Sequence, residues 1–188
     1  MNSKPITKES IRKRIDLGVS YIPEDRQAVG LVLDCDLASN LALKFYYKEG
    51  YCSRGILQIN KFYSSANEWI HRYDIRAGQG AITIVRSMSG GNQQKTIIAR
   101  EIELDSDLMI FEQPTRGLDI GAIENIHKKL FELRDQGKAI LLISLELDEI
   151  MTCADTIGVV FDGEMLSIKS REELDTNQVG MYMGGVKS

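Results

Sequence analysis

Short apolar runs separated by a helical pattern dominate the chain after about residue 80. Residues 108–111, 139–143 and 156–161 are almost continuously apolar, which is typical of strands buried in a parallel sheet. Between the first two runs, residues 119–134 carry apolar side chains at helical spacing, and Gly137 follows as a stop signal. A strand, a helix and a strand in this order predict a crossover unit, and therefore an α/β fold.

The pattern changes at both ends of this region. Asp162 and Gly163 form a strong two-residue turn signal, so we expect residues 165–168 to return as an antiparallel edge strand. The remaining tail, residues 176–188, is rich in glycine and polar side chains and is predicted to be loosely ordered.

The first eighty residues predict one strand and a group of helices. Residues 18–22 are strand-like and stop at Pro23, whereas residues 37–47 and 59–73 have helical spacing and are separated by a glycine-containing loop. This arrangement indicates a helical lobe set into an α/β core. The predicted division is 1–35 for the start of the core, 36–88 for the helical lobe, 89–170 for the rest of the α/β core, and 171–188 for a C-terminal tail.

Composition excludes several classes of function. The 188 residues include 43% hydrophobic ones, which is enough for one core. The formal net charge of -4 lacks the basic excess of a nucleic-acid-binding domain, so no nucleic acid is expected as a partner. Cys35, Cys52 and Cys153 are far apart, which favours buried free thiols and a reducing compartment. No apolar run is long enough to span a bilayer, so any membrane role requires a partner.

The first candidate for chemistry is the sequence Ser-Gly-Gly-Asn-Gln-Gln-Lys at residues 89–95, which precedes a helical run. A serine with two glycines at a helix start exposes backbone N–H groups, and the helix dipole adds a positive field. Ser89, Gly90, Gly91 and Asn92 could therefore approach a phosphate. Taken alone, the same residues also fit a plain helix cap.

A second polar sequence, Glu-Gln-Pro-Thr-Arg-Gly-Leu-Asp at residues 112–119, follows the apolar run 108–111. Together the two sequences resemble the ATP-binding cassette (ABC) family. Residues 89–92 resemble its signature, 111–113 its magnesium-site strand end, and 117–119 its D-loop. The segment around Glu24 falls at the family's Q-loop, and residues 144–150 fall at its switch segment, so the resemblance covers about residues 18–168.

The resemblance implies a partial P-loop NTPase core of the RecA-like ABC type with an inserted helical subdomain. The whole set of motifs resembles the second cassette of the tandem ATP-binding proteins of sugar and nucleoside importers. The family's phosphate-binding P-loop should lie well upstream of the Q-loop, yet Gly-x-x-x-x-Gly-Lys does not occur in this sequence. We therefore expect a C-terminal fragment that lacks the Walker A half.

Several hydrolytic positions depart from the family pattern. Glu112 and Gln113 replace the family's aspartate and catalytic glutamate, Leu145 replaces the switch histidine, and Glu24 replaces the Q-loop glutamine. A glutamine cannot accept a proton from water, and leucine offers no donor to a phosphate. The chain's own site is thus expected to be degenerate, with Glu112 as the candidate magnesium ligand.

In this family the signature of one cassette completes the ATP site of another. The resemblance therefore implies that Ser89, Gly90, Gly91 and Asn92 contact ATP, with Mg²⁺, held on a partner cassette, and that Asp119 links the two sites. The implied partners are the first cassette of the same subunit or a second copy, and membrane permeases reached through the Q-loop and helical lobe. ATPase activity is expected only in the assembled transporter. The chain is expected in the cytoplasm, at the inner face of the membrane.

Two other classes of function stay open. One is a nucleotide-independent interaction module, favoured by the missing P-loop and by Leu145. The other is a soluble ABC protein without a transport role, which usually keeps the catalytic glutamate and histidine. His71 and His127 are isolated in the sequence, and we expect both to be exposed helix residues rather than ligands.

Overall fold

A three-stranded parallel sheet forms the centre of the molecule. The computed structural model describes residues 5–186. Strands β1 (Val19–Ile22), β4 (Leu108–Glu112) and β5 (Ala139–Ile143) lie in the order β1-β4-β5. The parallel register places Ile22 opposite Phe111.

Seven helices and two small hairpins surround or extend this sheet in the described residues. The helices are α1 (Ile11–Asp16), α2 (Leu37–Ala42), α3 (Ile59–Arg72), α4 (Gly90–Ile102), α5 (Ile120–Asp135), α6 (Leu147–Cys153) and α7 (Thr176–Met183). The hairpins are β2 (Cys52–Ser53) with β3 (Ile56–Leu57), and β6 (Thr156–Phe161) with β7 (Glu164–Ser170). A five-residue π-helical turn, Arg26–Gly30, follows β1.

The predicted crossover is present. Helix α5 connects β4 to the parallel neighbour β5 and buries Ile126, Leu130 and Leu133, which recur at helical spacing. Gly137 follows the helix at a φ of 84°, a conformation that glycine adopts without a steric cost. The local pattern of this segment therefore matches its tertiary contacts.

One continuous core joins the helical lobe to the sheet. Ile22 and Phe111 of the sheet belong to the same buried cluster as Leu41 of α2, Trp69 of α3 and Ile97 of α4. Only the first half of the predicted helix 37–47 is helical, because α2 ends at Ala42 and turns follow. The division into 36–88 and 89–170 stays a prediction, since both segments contribute to one core.

The prediction of buried parallel strands is only partly right for β5, which is parallel but has no fully buried residue, and it is wrong for Thr156–Phe161. This strand, β6, pairs antiparallel with β7 through a turn in which Asp162 and Gly163 have φ values of 47° and 78°. Ile157 and Val159 are buried while Val160 is exposed, so only one face of the strand is covered. An apolar run alone did not reveal this alternation in burial.

The prediction of a loosely ordered tail is also wrong for residues 176–183, while residues 187 and 188 lie outside the described part of the chain. Helix α7 begins with a capping box, in which Asp175 accepts from the N–H of Gln178 and the Gln178 side chain accepts from Asp175. Val179 and Tyr182 are buried, and they form a second, smaller cluster with Ile157 of the hairpin. A local cap and two apolar contacts therefore order a segment that its composition suggested was loose.

Apolar side chains remain exposed on β5 and on the hairpin formed by β6 and β7. Leu141 and Ile143 are 49% and 45% exposed, and Val160, Met165 and Ile168 are between 55% and 65% exposed. Within residues 5–186 the hairpin makes no hydrogen-bonded ladder with the three-stranded sheet. We call these two groups the open apolar surfaces. No helix in the described part of the chain is long and apolar enough to cross a membrane.

Candidate functional site

The parallel strands bring several of the predicted residues to one edge of the sheet. Glu24 lies two residues beyond β1, Glu112 ends β4 with Gln113 directly after it, and Leu145 lies two residues beyond β5. Because the carboxyl ends of parallel strands share an edge, these positions are neighbours in space. This is the edge at which α/β folds commonly bind ligands.

The signature turn, residues 89–92, begins helix α4. Ser89 has the backbone conformation of an N-cap, but its side chain caps none of the helix N–H groups. Instead Ser89 Oγ accepts a hydrogen bond of 2.9 Å from Asn92 Nδ2, while Asn92 Oδ1 accepts one of 2.7 Å from the N–H of Arg76. The first turn therefore has no side-chain cap, which leaves its positive end open to an anion.

The signature turn has free space beside its polar groups. A Cβ added to Gly91 would meet nothing within 4 Å, whereas a Cβ added to Gly90 would lie 3.7 Å from Arg26 Nη2. The outer side of the turn is thus open, and its inner side rests on a guanidinium. Asn92 orients the Ser89 hydroxyl through the hydrogen bond between them, and its expected contact with ATP stays a prediction.

Arginines and a glutamate connect the Q-loop segment to the loop after β4. Glu24 forms an ion pair with Arg116, and both side chains are substantially exposed. Arg26 Nη1 donates a hydrogen bond of 3.1 Å to the carbonyl oxygen of Arg116. Pairs as exposed as Glu24 and Arg116 contribute little stability, about 0–1 kcal/mol. The contact therefore orients the loop more than it stabilises the fold.

Glu112 is already engaged by another side chain. The hydroxyl of Tyr21, on the neighbouring strand β1, donates a hydrogen bond to Glu112 Oε2. This bond, together with burial and the carboxylate charge, raises the pKa of Tyr21 to about 12. In residues 5–186 no group of three or more His, Cys, Asp or Glu side chains could hold a metal ion. Glu112 thus stays a single candidate magnesium ligand among the described residues.

Gln113 is buried and has an unusual backbone conformation. Its φ is 45°, and its N–H donates a hydrogen bond of 2.8 Å to the carbonyl oxygen of Ile143. Positive φ at a side chain of this size costs free energy and is often found at functional positions. The carboxamide nevertheless offers no base for an attacking water.

Leu145 and Asp119 occupy the two turns next to this edge. Leu145 is 74% exposed and carries no polar atom, so it cannot contact a phosphate by hydrogen bonding. Asp119 is the N-cap of α5, where its Oδ1 accepts a hydrogen bond of 2.9 Å from the N–H of Ala122. Asp119 therefore caps helix α5, and its role in linking two sites stays a prediction.

Two expectations about titratable side chains need correction. His127 is not an isolated exposed residue, because its Nε2 lies 3.1 Å from Oε1 of the buried Glu149 across helices α5 and α6. The three cysteines are free as expected, but none is fully buried, because Cys35 is exposed and Cys52 and Cys153 are only partly covered. Burial raises the pKa of the Cys153 thiol to about 11, so this thiol is unreactive at neutral pH.

Sequence reasoning gave no role to Tyr21 or Arg26, although both lie within the segment compared with the Q-loop. Tyr21 contacts Glu112 and Arg26 contacts Arg116, and each pair is separated by about ninety positions. No local sequence signal marked either contact, because Tyr21 and Glu112 become neighbours only when β1 pairs with β4.

Comparisons with known proteins agree with this geometry. The chain is 48% identical over 185 residues to the nucleoside import ATP-binding protein NupA of Lactococcus lactis subsp. cremoris, which is 98% of this chain and 36% of that protein. It is 45% identical over the same shares to the guanosine import ATP-binding protein NupO of Bacillus subtilis. It is 34% identical to the ribose import ATP-binding protein RbsA of Clostridium tetani, covering 97% of this chain and 36% of that one. The chain thus spans about a third of the length of these relatives.

Among solved structures, the chain resembles the dimeric, post-hydrolysis state of the ATP-binding cassette MJ0796 bound to ADP and Pi. The TM-score is 0.69 at 20% identity, over 85% of this chain and 65% of that one. This likeness establishes the fold, so the predicted α/β architecture of the ABC type is confirmed. None of the known protein-family models matches the chain.

Proposed function

We propose that this chain, a homologue of the ATP-binding proteins of ABC importers, supplies a signature turn to an ATP site on another cassette. The sequence contains no Gly-x-x-x-x-Gly-Lys, so the loop that cradles the nucleotide phosphates has to come from elsewhere. The chain's part is then to close that site from the opposite side.

The open signature turn is the observation that carries the proposal. Ser89 does not cap α4, and the space outside Gly91 is free, so backbone N–H groups and a hydroxyl can face a phosphate. Donors fixed in advance stabilise the charge that develops during phosphoryl transfer without a further cost of reorganisation. The dipole of the 13-residue helix α4 adds to the same field.

The chain's own strand-end site does not take part in hydrolysis in this proposal. Gln113 has no base to offer, Leu145 has no donor, and the Glu112 carboxylate accepts from Tyr21. Mg²⁺ bound with ATP would neutralise phosphate charge. Glu112 is the side chain at the strand-end edge that could ligate this ion. ATPase activity accordingly belongs to the assembled transporter, and the chain by itself is inactive.

The relatives suggest the cargo and the partners. Their names refer to nucleosides, guanosine and ribose, so nucleosides or simple sugars are the proposed substrates of the transporter. The proposed partners are a first cassette of the same subunit or a second copy, and membrane permeases that contact the Glu24 segment and the helical lobe. The proposed location of the chain is the cytoplasm, at the inner face of the membrane.

Turnover in the assembled transporter tests the proposal. Replacing Ser89 with alanine should reduce the rate of ATP hydrolysis about 100-fold, the typical effect of losing one fixed donor to a developing charge. Gln113→Ala should matter far less, because that position has no base to lose. Equal and small effects of the two substitutions would reject the composite site.

Equal and small effects would favour a nucleotide-independent interaction module instead. The specific support for that alternative is the combination of Gln113 and the exposed Leu145, which removes two hydrolytic groups from the same edge. An uncapped signature turn argues against it, since a purely structural helix start gains about 1 kcal/mol from a side-chain cap.

A further inference from the structure

We infer that Arg26 is a positioning residue that holds the signature turn and the D-loop turn, residues 116–119, in one fixed relative position. The inference rests on the proposed function and extends it, because it names the group that makes the two turns act as one surface. Arg26 itself need not touch the nucleotide.

The guanidinium of Arg26 lies between two glycine turns. Nη1 donates a hydrogen bond of 3.1 Å to the carbonyl oxygen of Arg116. Nη2 lies 3.7 Å from the position of a Cβ on Gly90 and 3.8 Å from that of a Cβ on Gly117. The planar group thus lies beside both turns, at the distance where a side chain on either glycine would touch it. Gly117 has a φ of 67°, which a side chain would strain.

The backbone that carries Arg26 is itself fixed. Asp25 Oδ1 accepts hydrogen bonds from the N–H groups of Gln27 and Ala28, at 3.0 and 2.9 Å, and so caps the π-helical turn Arg26–Gly30. A capped turn of this kind gives a long arginine side chain a defined starting point. Less side-chain entropy is then lost when the guanidinium binds.

The same turn lies along one face of the signature helix α4. Gln27 Nε2 donates to Gln93 Oε1 at 3.1 Å, and the carbonyl oxygen of Gly30 accepts from Arg100 Nη2 at 3.0 Å. Positions 90, 93, 97 and 100 lie on one side of a helix. Gly30 also lies close to Ile97 of α4, because a Cβ added to Gly30 would lie only 2.5 Å from the Ile97 side chain.

A second connection ties α4 to the loop after β4. Gln94 Nε2 donates a hydrogen bond of 2.8 Å to the carbonyl oxygen of Pro114. The loop is therefore fixed to the signature helix directly through Gln94 and indirectly through Arg26. Gln94 acts at the beginning of the loop, whereas Arg26 acts at its end, next to the D-loop turn.

Hydrogen–deuterium exchange of this chain tests the positioning role. In Arg26→Ala we expect faster exchange in peptides covering residues 89–93 and 115–119 together, with little change in Tm. Arg26→Lys should restore part of the protection, because an ammonium can donate to the Arg116 carbonyl but cannot pack as a plane. Arg134→Ala is the matched control, since the Arg134 guanidinium pairs with the exposed neighbour Asp135 and lies over the Phe131 ring of the same helix. Faster exchange confined to residues 25–30 would overturn the inference.

The assembled transporter gives a second, catalytic readout. Arg26→Ala should lower kcat roughly tenfold while leaving the KM for ATP nearly unchanged, because misplaced donors weaken transition-state stabilisation more than ground-state binding. If Ser89→Ala lowers turnover and Arg26→Ala does not, the positioning role is overturned and the proposed function stands. If neither substitution lowers turnover, the proposed function fails and the inference fails with it.

Discussion

The hydroxyl of Tyr21 and the carboxylate of Glu112 join two neighbouring parallel strands at the edge where the candidate site lies. The bond keeps the phenol protonated and raises its pKa to about 12. It also occupies an oxygen of the carboxylate that the sequence pointed to as a metal ligand. Four predictions follow from this and other contacts.

Removing the Tyr21 hydroxyl should destabilise the chain modestly and in a pH-dependent way. Because Tyr21 is partly exposed, Tyr21→Phe should cost roughly 0.5 kcal/mol at neutral pH. The folded-state pKa lies above the unfolded value, so this contribution is complete below pH 10 and is lost as pH rises toward 12. Urea unfolding of both variants at several pH values measures the difference. A loss that grows with pH would contradict it, and Glu112→Gln should lower the pKa of Tyr21.

ATP should bind weakly to this chain alone. Without a P-loop it lacks the cluster of backbone N–H groups and the lysine that supply most phosphate affinity. We expect a Kd on the order of millimolar or weaker. Calorimetric titration with ATP in the presence of magnesium measures it, and micromolar affinity would refute our account of the site.

The open apolar surfaces should make the isolated chain self-associate. Apolar side chains on an exposed sheet edge favour pairing with another chain. Sedimentation velocity should show dimers or larger species increasing with concentration. Ile143→Lys should reduce them, whereas Ile11→Lys, at an even more exposed isoleucine on α1, should not. A monomer of the unmodified chain at high concentration would argue against this prediction.

His127 should stabilise the contact between α5 and α6. Glu149 is 4% exposed, and its second oxygen, Oε2, has no hydrogen-bond partner. Removing His127 would leave the buried carboxylate without any side-chain partner, so His127→Ala should reduce the free energy of unfolding by about 2 kcal/mol. Adding Glu149→Leu should recover most of that loss, and a double-mutant cycle by urea unfolding measures the coupling. Simple additivity of the two losses would show that the pair is not coupled.

Local sequence pattern was sufficient for the bounds of elements with a regular apolar pattern. Strands β4 and β5 and helix α5 were predicted nearly to their ends, because strands of a parallel sheet are apolar throughout and a one-sided helix repeats its apolar residues. The pattern did not show that Leu141 and Ile143 of β5 stay exposed. The turn at Asp162 was equally clear, since few sequences adopt positive φ twice in succession.

Elements and contacts that depend on distant residues were not predictable in this way. The apolar run of β6 resembles that of β5, but β6 pairs with β7. Only the tertiary contacts distinguish a strand of an open hairpin from a strand of the parallel sheet. Helix α7 depends on Asp175 and on burial against the hairpin. At the site, motif resemblance identified Ser89 and Glu112, whereas the roles of Tyr21 and Arg26 depend on strands and turns that meet only after folding.

The separation of the buried side chains into two clusters defines where the molecule should lose structure first. The larger cluster extends from Leu41 in the lobe to Phe111 in the sheet, so the lobe cannot turn independently without carrying α4 with it. The smaller cluster holds only the hairpin, α6 and α7 together. Partial denaturation should therefore begin between β5 and β6 and not at the border of the helical lobe, and it should leave the signature turn intact.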